Sequence, residues 1–138
     1  MVRFTQIFIA FSLLTTLLTT DLTAQPQSQW IRTFDAGAYD CFWDVYTASD
    51  SSYIAVGGTG GAWHLGGRWF MVKVDKDGNT IWSNIYGEMA QSSFARSVIE
   101  ADNGDYLASG FSGGIGFPNL EVMRLSPEGE QIWRNQYG

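Results

Sequence analysis

Val72-Lys73-Val74-Asp75-Lys76-Asp77-Gly78-Asn79-Thr80-Ile81-Trp82 returns later in the chain as Met123-Arg124-Leu125-Ser126-Pro127-Glu128-Gly129-Glu130-Gln131-Ile132-Trp133. Both stretches have an apolar run, a polar turn with glycine at the same place, and a second run opening on tryptophan. The match continues outward at one offset. Tyr53-Ile54-Ala55-Val56-Gly57 pairs with Tyr106-Leu107-Ala108-Ser109-Gly110, and Trp82-Ser83-Asn84-Ile85-Tyr86-Gly87 pairs with Trp133-Arg134-Asn135-Gln136-Tyr137-Gly138. A third, partial version stands upstream as Trp30-Ile31-Arg32-Thr33-Phe34, so the tryptophans recur after 52 residues (30 to 82) and 51 residues (82 to 133). Self-similarity at a fixed period of this size marks a stacked-repeat architecture.

Each repeat divides into four extended runs. In the first they are Asp44–Ala48, Tyr53–Gly57, Trp69–Val74 and Thr80–Tyr86; in the second, Arg96–Ala101, Tyr106–Phe111, Leu120–Leu125 and Gln131–Tyr137. Alternate residues of a strand share a face, which groups Phe70, Val72 and Val74, and separately Trp82, Asn84 and Tyr86. Asp75-Lys76-Asp77-Gly78 and Asp102-Asn103-Gly104-Asp105 are turn sequences, with glycine where a tight hairpin needs a left-handed residue. Four short antiparallel strands per unit describe a blade of a β-propeller, whereas a β-sandwich does not repeat its sequence every four strands. The expected fold is all-β: two four-stranded antiparallel blades of propeller type, at about 44–86 and 96–137, plus one orphan N-terminal strand at Trp30. Two blades fall short of a closed ring, which needs at least about four. The expectation is therefore an incomplete propeller: a fragment of a longer repeat protein, or a product that self-associates.

The quoted motif, together with Asn103-Gly104-Asp105-Tyr106-Leu107-Ala108-Ser109-Gly110, resembles the repeats of secreted bacterial β-propeller proteins, across nearly all of Trp30–Gly138. That resemblance implies a propeller and an extracellular or cell-surface location, with no particular activity attached. Asp75, Gly78 and Trp82 also echo the blades of quinoprotein propellers. In the second copy, however, Ser126 replaces the aspartate, and a hairpin followed by an inter-blade tryptophan accounts for the echo.

The N-terminus carries an address. Arg3 precedes the apolar stretch Ile7–Leu18, and Leu22-Thr23-Ala24 offers a small residue for signal peptidase before Gln25. This is the layout of a Sec-type signal peptide over residues 1–24, with a mature repeat region over 25–138. The stretch falls short of the roughly 20 apolar residues that span a bilayer, so no integral span is expected after cleavage.

Composition narrows function. Fourteen acidic against eight basic residues argue against nucleic acid as partner, since phosphate binding needs basic surface. One cysteine and one histidine leave little for a structural zinc site or a disulfide. Asp75-Lys76-Asp77-Gly78-Asn79 offers too few oxygens for calcium without a distal bidentate carboxylate. The carboxylate pairs Asp40/Asp44 and Asp102/Asp105 would serve a glycosidase only if held about 5–10 Å apart across a cleft. No metal, cofactor or catalytic residue is assigned. The competing class is a fragment of a propeller enzyme, carbohydrate-active or quinoprotein-like. Recognition is placed instead on the long connections 58–68 and 112–119, where Trp63, His64 and Phe117 can stack on a sugar or a peptide side chain. The expected partner is a protein or carbohydrate, beside further repeats.

Overall fold

A computed structural model describes residues 30–37, 39–60, 67–88, 92–114 and 119–138. The expected signal peptide, together with Trp63, His64 and Phe117, lies outside the described residues. The first repeat forms β1 (Asp40–Thr47), β2 (Tyr53–Gly60), β3 (Gly67–Val74) and β4 (Thr80–Tyr86). The second forms β5 (Ser92–Glu100), β6 (Tyr106–Gly113), β7 (Asn119–Leu125) and β8 (Gln131–Tyr137). Each set of four pairs in chain order as one antiparallel sheet. The protein is all-β over the described residues, with one sheet per repeat, consistent with propeller-type blades.

The sheets are copies down to their irregularities. Trp43 in β1 and Arg96 in β5 are skipped in the pairing register, as are Ile81 in β4 and Ile132 in β8. Each skipped residue is a β-bulge, which turns its side chain out of the regular alternation. Ile81 and Ile132 are accordingly about half exposed, at 51% and 52%. Opposite the first pair of bulges stand Gly57 and Gly110. A Cβ on Gly57 would lie 1.9 Å from the Cys41 carbonyl oxygen, and one on Gly110 would lie 2.1 Å from that of Phe94. Only glycine admits so close a backbone approach. Beyond the bulges the edge strands run further than the sequence expectation: β1 begins at Asp40 and β5 at Ser92.

The sheets pack face to face. Ile54, Val56, Trp69 and Met71 of the first, all fully buried, meet Tyr106, Ala108, Met123 and Leu125 of the second in one apolar cluster. Removing that area from water is the main force holding the repeats together. The orphan strand expected at Trp30 is corrected: residues 30–36 enter no β-ladder. They lie instead on the opposite face of the first sheet, where Trp30, Phe34 and Ala36 pack on Phe70, Val72 and Val74. Their anchors are side chains, because the face of a sheet offers no strand edge to pair with.

Candidate functional site

The recurring tryptophan is the joint between units. Gly78 and Gly129 close the β3–β4 and β7–β8 turns with φ of +80° and +82°, a left-handed conformation that costs glycine little. Their missing side chains also make room for an indole: a Cβ would lie 2.6 Å from the Trp30 ring at Gly78 and 2.8 Å from the Trp82 ring at Gly129. In both joints the indole Nε1 donates to a turn carbonyl at 3.0 Å, Trp30 to Lys76 and Trp82 to Pro127. Tyr86, four residues after Trp82, donates its hydroxyl to the Gly129 carbonyl at 2.6 Å, and burial pushes its ionisation up. Residues 30–34 thus stand on the first sheet where a preceding repeat's last strand would stand.

Between residues 30–36 and the sheet lies an apolar groove of about 420 Å³, lined by Phe34, Phe42, Val45, Tyr53, Ala55 and Val72 among others. Asp40 borders it. Burial works against its carboxylate, but the neighbouring Thr59 hydroxyl and a bond from the Ala36 N–H at 2.8 Å outweigh that and hold its pKa below the usual range.

Three of the four carboxylates singled out as possible acid/base pairs, Asp40, Asp44 and Asp105, hold hydrogen bonds within the fold. Asp44 accepts from Ser97 Oγ and Val98 N–H, both at 3.0 Å, and so ties β1 to β5. Asp105 accepts from Asn103 and Arg124, which keep it below its ordinary pKa. Asp75 spends one oxygen on the Asp77 and Asn79 N–H groups and the other on the Asn79 side chain, closing its own hairpin. Ser126 does the same in the second copy through the Glu128 and Glu130 N–H groups. This explains why serine can replace aspartate there. Trp82, the third member of the quinoprotein-like echo, docks on the next repeat's turn rather than on its own.

Two features escaped the sequence reading. Lys73 is buried at the sheet interface, 3.0 Å from Asp50 and over the Tyr106 ring. Burial works against its charge, yet Tyr106 and Asp50 raise its pKa on balance. Asp50, held by Ser52 and then by Lys73, falls to about 2. The second is a stack of the two bulge residues: the Arg96 guanidinium lies 3.8 Å from the Trp43 ring centroid. Trp43 remains 45% exposed, so this is a cation–π pair open to solvent on one side.

The connections alternate between the two ends of the sheets. The expectation of long ones at 58–68 and 112–119 is corrected: the strands extend into them and leave links of 61–66 and 114–118, close in length to the turns. Tight turns join Thr47 to Tyr53, Val74 to Thr80, Glu100 to Tyr106 and Leu125 to Gln131. The links at the other end leave Gly60, Tyr86 and Gly113, and the strand ends bearing them meet across the interface. Phe94 abuts Gly58 and Gly67, and Trp69 Nε1 donates to the Phe111 carbonyl at 3.3 Å. No helix among the described residues is long and apolar enough to cross a membrane. No protein-family model matches the chain, and no curated protein matches it.

Proposed function

We propose that the chain is an exported, non-catalytic repeat scaffold of propeller type, which binds a protein or carbohydrate at the extracellular face or cell surface. The supporting observation is that the connections carrying Trp63, His64 and Phe117 leave the same end of two stacked sheets, where the strand ends bearing them meet across the interface. Loops held on a rigid scaffold are where recognition concentrates. Trp63, His64 and Phe117 belong to those connections and are the proposed contact residues. The test is binding to a panel of defined oligosaccharides and peptides, followed by alanine substitution. Trp63→Ala or Phe117→Ala should weaken binding at least about tenfold with folding intact, as truncation of an aromatic anchor does. If Lys76→Ala or Asn103→Ala abolishes binding while Trp63→Ala binds normally, recognition lies at the other end. Export predicts that secreted protein begins at Gln25; recovery only from the cytoplasm with Met1 retained contradicts it.

A further inference from the structure

Among the described residues, nothing packs on the face of the second sheet that corresponds to the one the first sheet buries. At matched positions, fully buried Trp69 becomes Leu120, 55% exposed, and Tyr86, 8% exposed, becomes Tyr137, 52% exposed. Trp133 holds the place of Trp82, with no turn against it among the described residues. The structure itself shows what covers a face of this kind: the opposite face of a neighbouring repeat, with the tryptophan set on that repeat's glycine turn.

The first sheet has that receiving face, and it too is only partly covered. Val45 is 64% and Phe42 39% exposed, whereas their counterparts Val98 and Ala95 are 2% and 0%. The groove lies there, and Trp30 occupies the turn at Gly78 that would receive an incoming tryptophan. Side-chain size is compensated across the two faces. In the existing joint a large residue, Trp69, fills the notch at Gly110 beside small Ala95. At the open faces the large residue becomes Leu120, and the small one becomes Phe42 beside Gly57.

We propose that this chain associates head to tail with a second copy of itself. The open face of one copy's second sheet packs on the first sheet of the next. Trp133 and Tyr137 replace the receiving copy's own Trp30 and Phe34. The inference rests on the repeat-scaffold reading and adds its partner. Residues 30–34 act as a tethered plug, competing with the incoming strand for the Gly78 turn. The contact is heterologous, so it grows until rotation closes it.

The test is sedimentation of the full chain at micromolar concentrations, with circular dichroism to verify that the sheets persist. Val45→Glu spoils the receiving face and Leu120→Glu the presenting face; both positions are more than half exposed. Each variant alone should be monomeric. Mixed, they retain one competent pair of faces and should give a 1:1 dimer that grows no further. Trp30→Ala should strengthen wild-type association, and Trp133→Ala should weaken it, each at least about tenfold. A mixture that stays monomeric, either glutamate variant associating like wild type, or no response to Trp30→Ala overturns the proposal. Those outcomes leave the loop-binding reading standing, and loss of ligand binding by Trp63→Ala leaves this interface untouched.

Discussion

The turn at Ala48–Ser52 and its counterpart at Ala101–Asp105 have one backbone and two different side-chain solutions. In both, the first residue's N–H donates to the last residue's carbonyl at 2.8 Å, and its carbonyl accepts from the residue three further on. In both, an acid on the turn holds a basic residue of the third strand. Asp50 sits at the third position and pairs with Lys73; Asp105 sits at the fifth and pairs with Arg124. The neutral partner exchanges places: Ser52 donates to Asp50 in the first turn, and Asn103 donates to Asp105 in the second. Arg124 and Asp105 are thus joined on the open side of the second sheet, whereas Lys73 is sealed between the sheets with the Tyr106 ring beneath it. Ion pairs from the same repeat position should therefore differ in energetic weight, because one ammonium is out of water and the other guanidinium is a third exposed.

The sharpest way to break the likeness is at the two docked tryptophans. Trp82→Ala removes an indole set into the inter-sheet joint and should cost about 3–4 kcal/mol in chemical denaturation. Trp30→Ala removes the same contact from a segment on one open face and should cost less than about 2 kcal/mol, since that face can still collapse. Equal losses would mean that the joints are not ranked by the sheet behind them.

Next comes the buried cation. Asp50→Ala should destabilise by about 2–3 kcal/mol, because it leaves the Lys73 ammonium buried without its carboxylate. Lys73→Met in the same chain should recover most of that. No recovery would mean that the loss comes from the turn, through Ser52, rather than from the stranded charge.

The pH dependence is smaller. The Asp50 pKa of about 2 lies below its unfolded value of about 3.9, so its contribution is complete above that unfolded value. It is lost as pH falls through the folded value. Stability should decline between about pH 5 and pH 2, and Asp50→Asn should flatten part of that decline. An Asp50→Asn profile parallel to wild type would contradict the assignment. The smallest expected effect is in the turn backbone. Ser51 has φ +66° where its counterpart Gly104 has +85°, so Ser51→Gly should stabilise by up to about 1 kcal/mol. Melting curves decide the sign.

The repeat, the four strands per unit and the glycine turns were legible in the residues because turn chemistry and alternation are local signals. The starts of β1 and β5 were not, since the bulges at Trp43 and Arg96 break the alternation that marks a strand. Gly57 and Gly110, at one place in both repeats, were the available hint of close backbone approach. The lack of a ladder at Trp30 could not be read either: its residues match a fourth strand, but pairing depends on what lies beside them. Lys73 in a strand reads as a solvent-facing residue, and only the stacking of the second sheet buries it. The open faces emerged the same way, from comparing one position under two neighbours.

The central claim is that one tryptophan position sets successive repeats on each other by donating to a glycine turn. Hydrogen exchange at the individual indole N–H groups, followed by NMR in dilute, monomeric protein, tests it most directly. The account predicts strong protection at Trp82, weaker but measurable protection at Trp30, and none at Trp133, in the order of their partners. A Trp82 indole that exchanges as fast as Trp133 would contradict it.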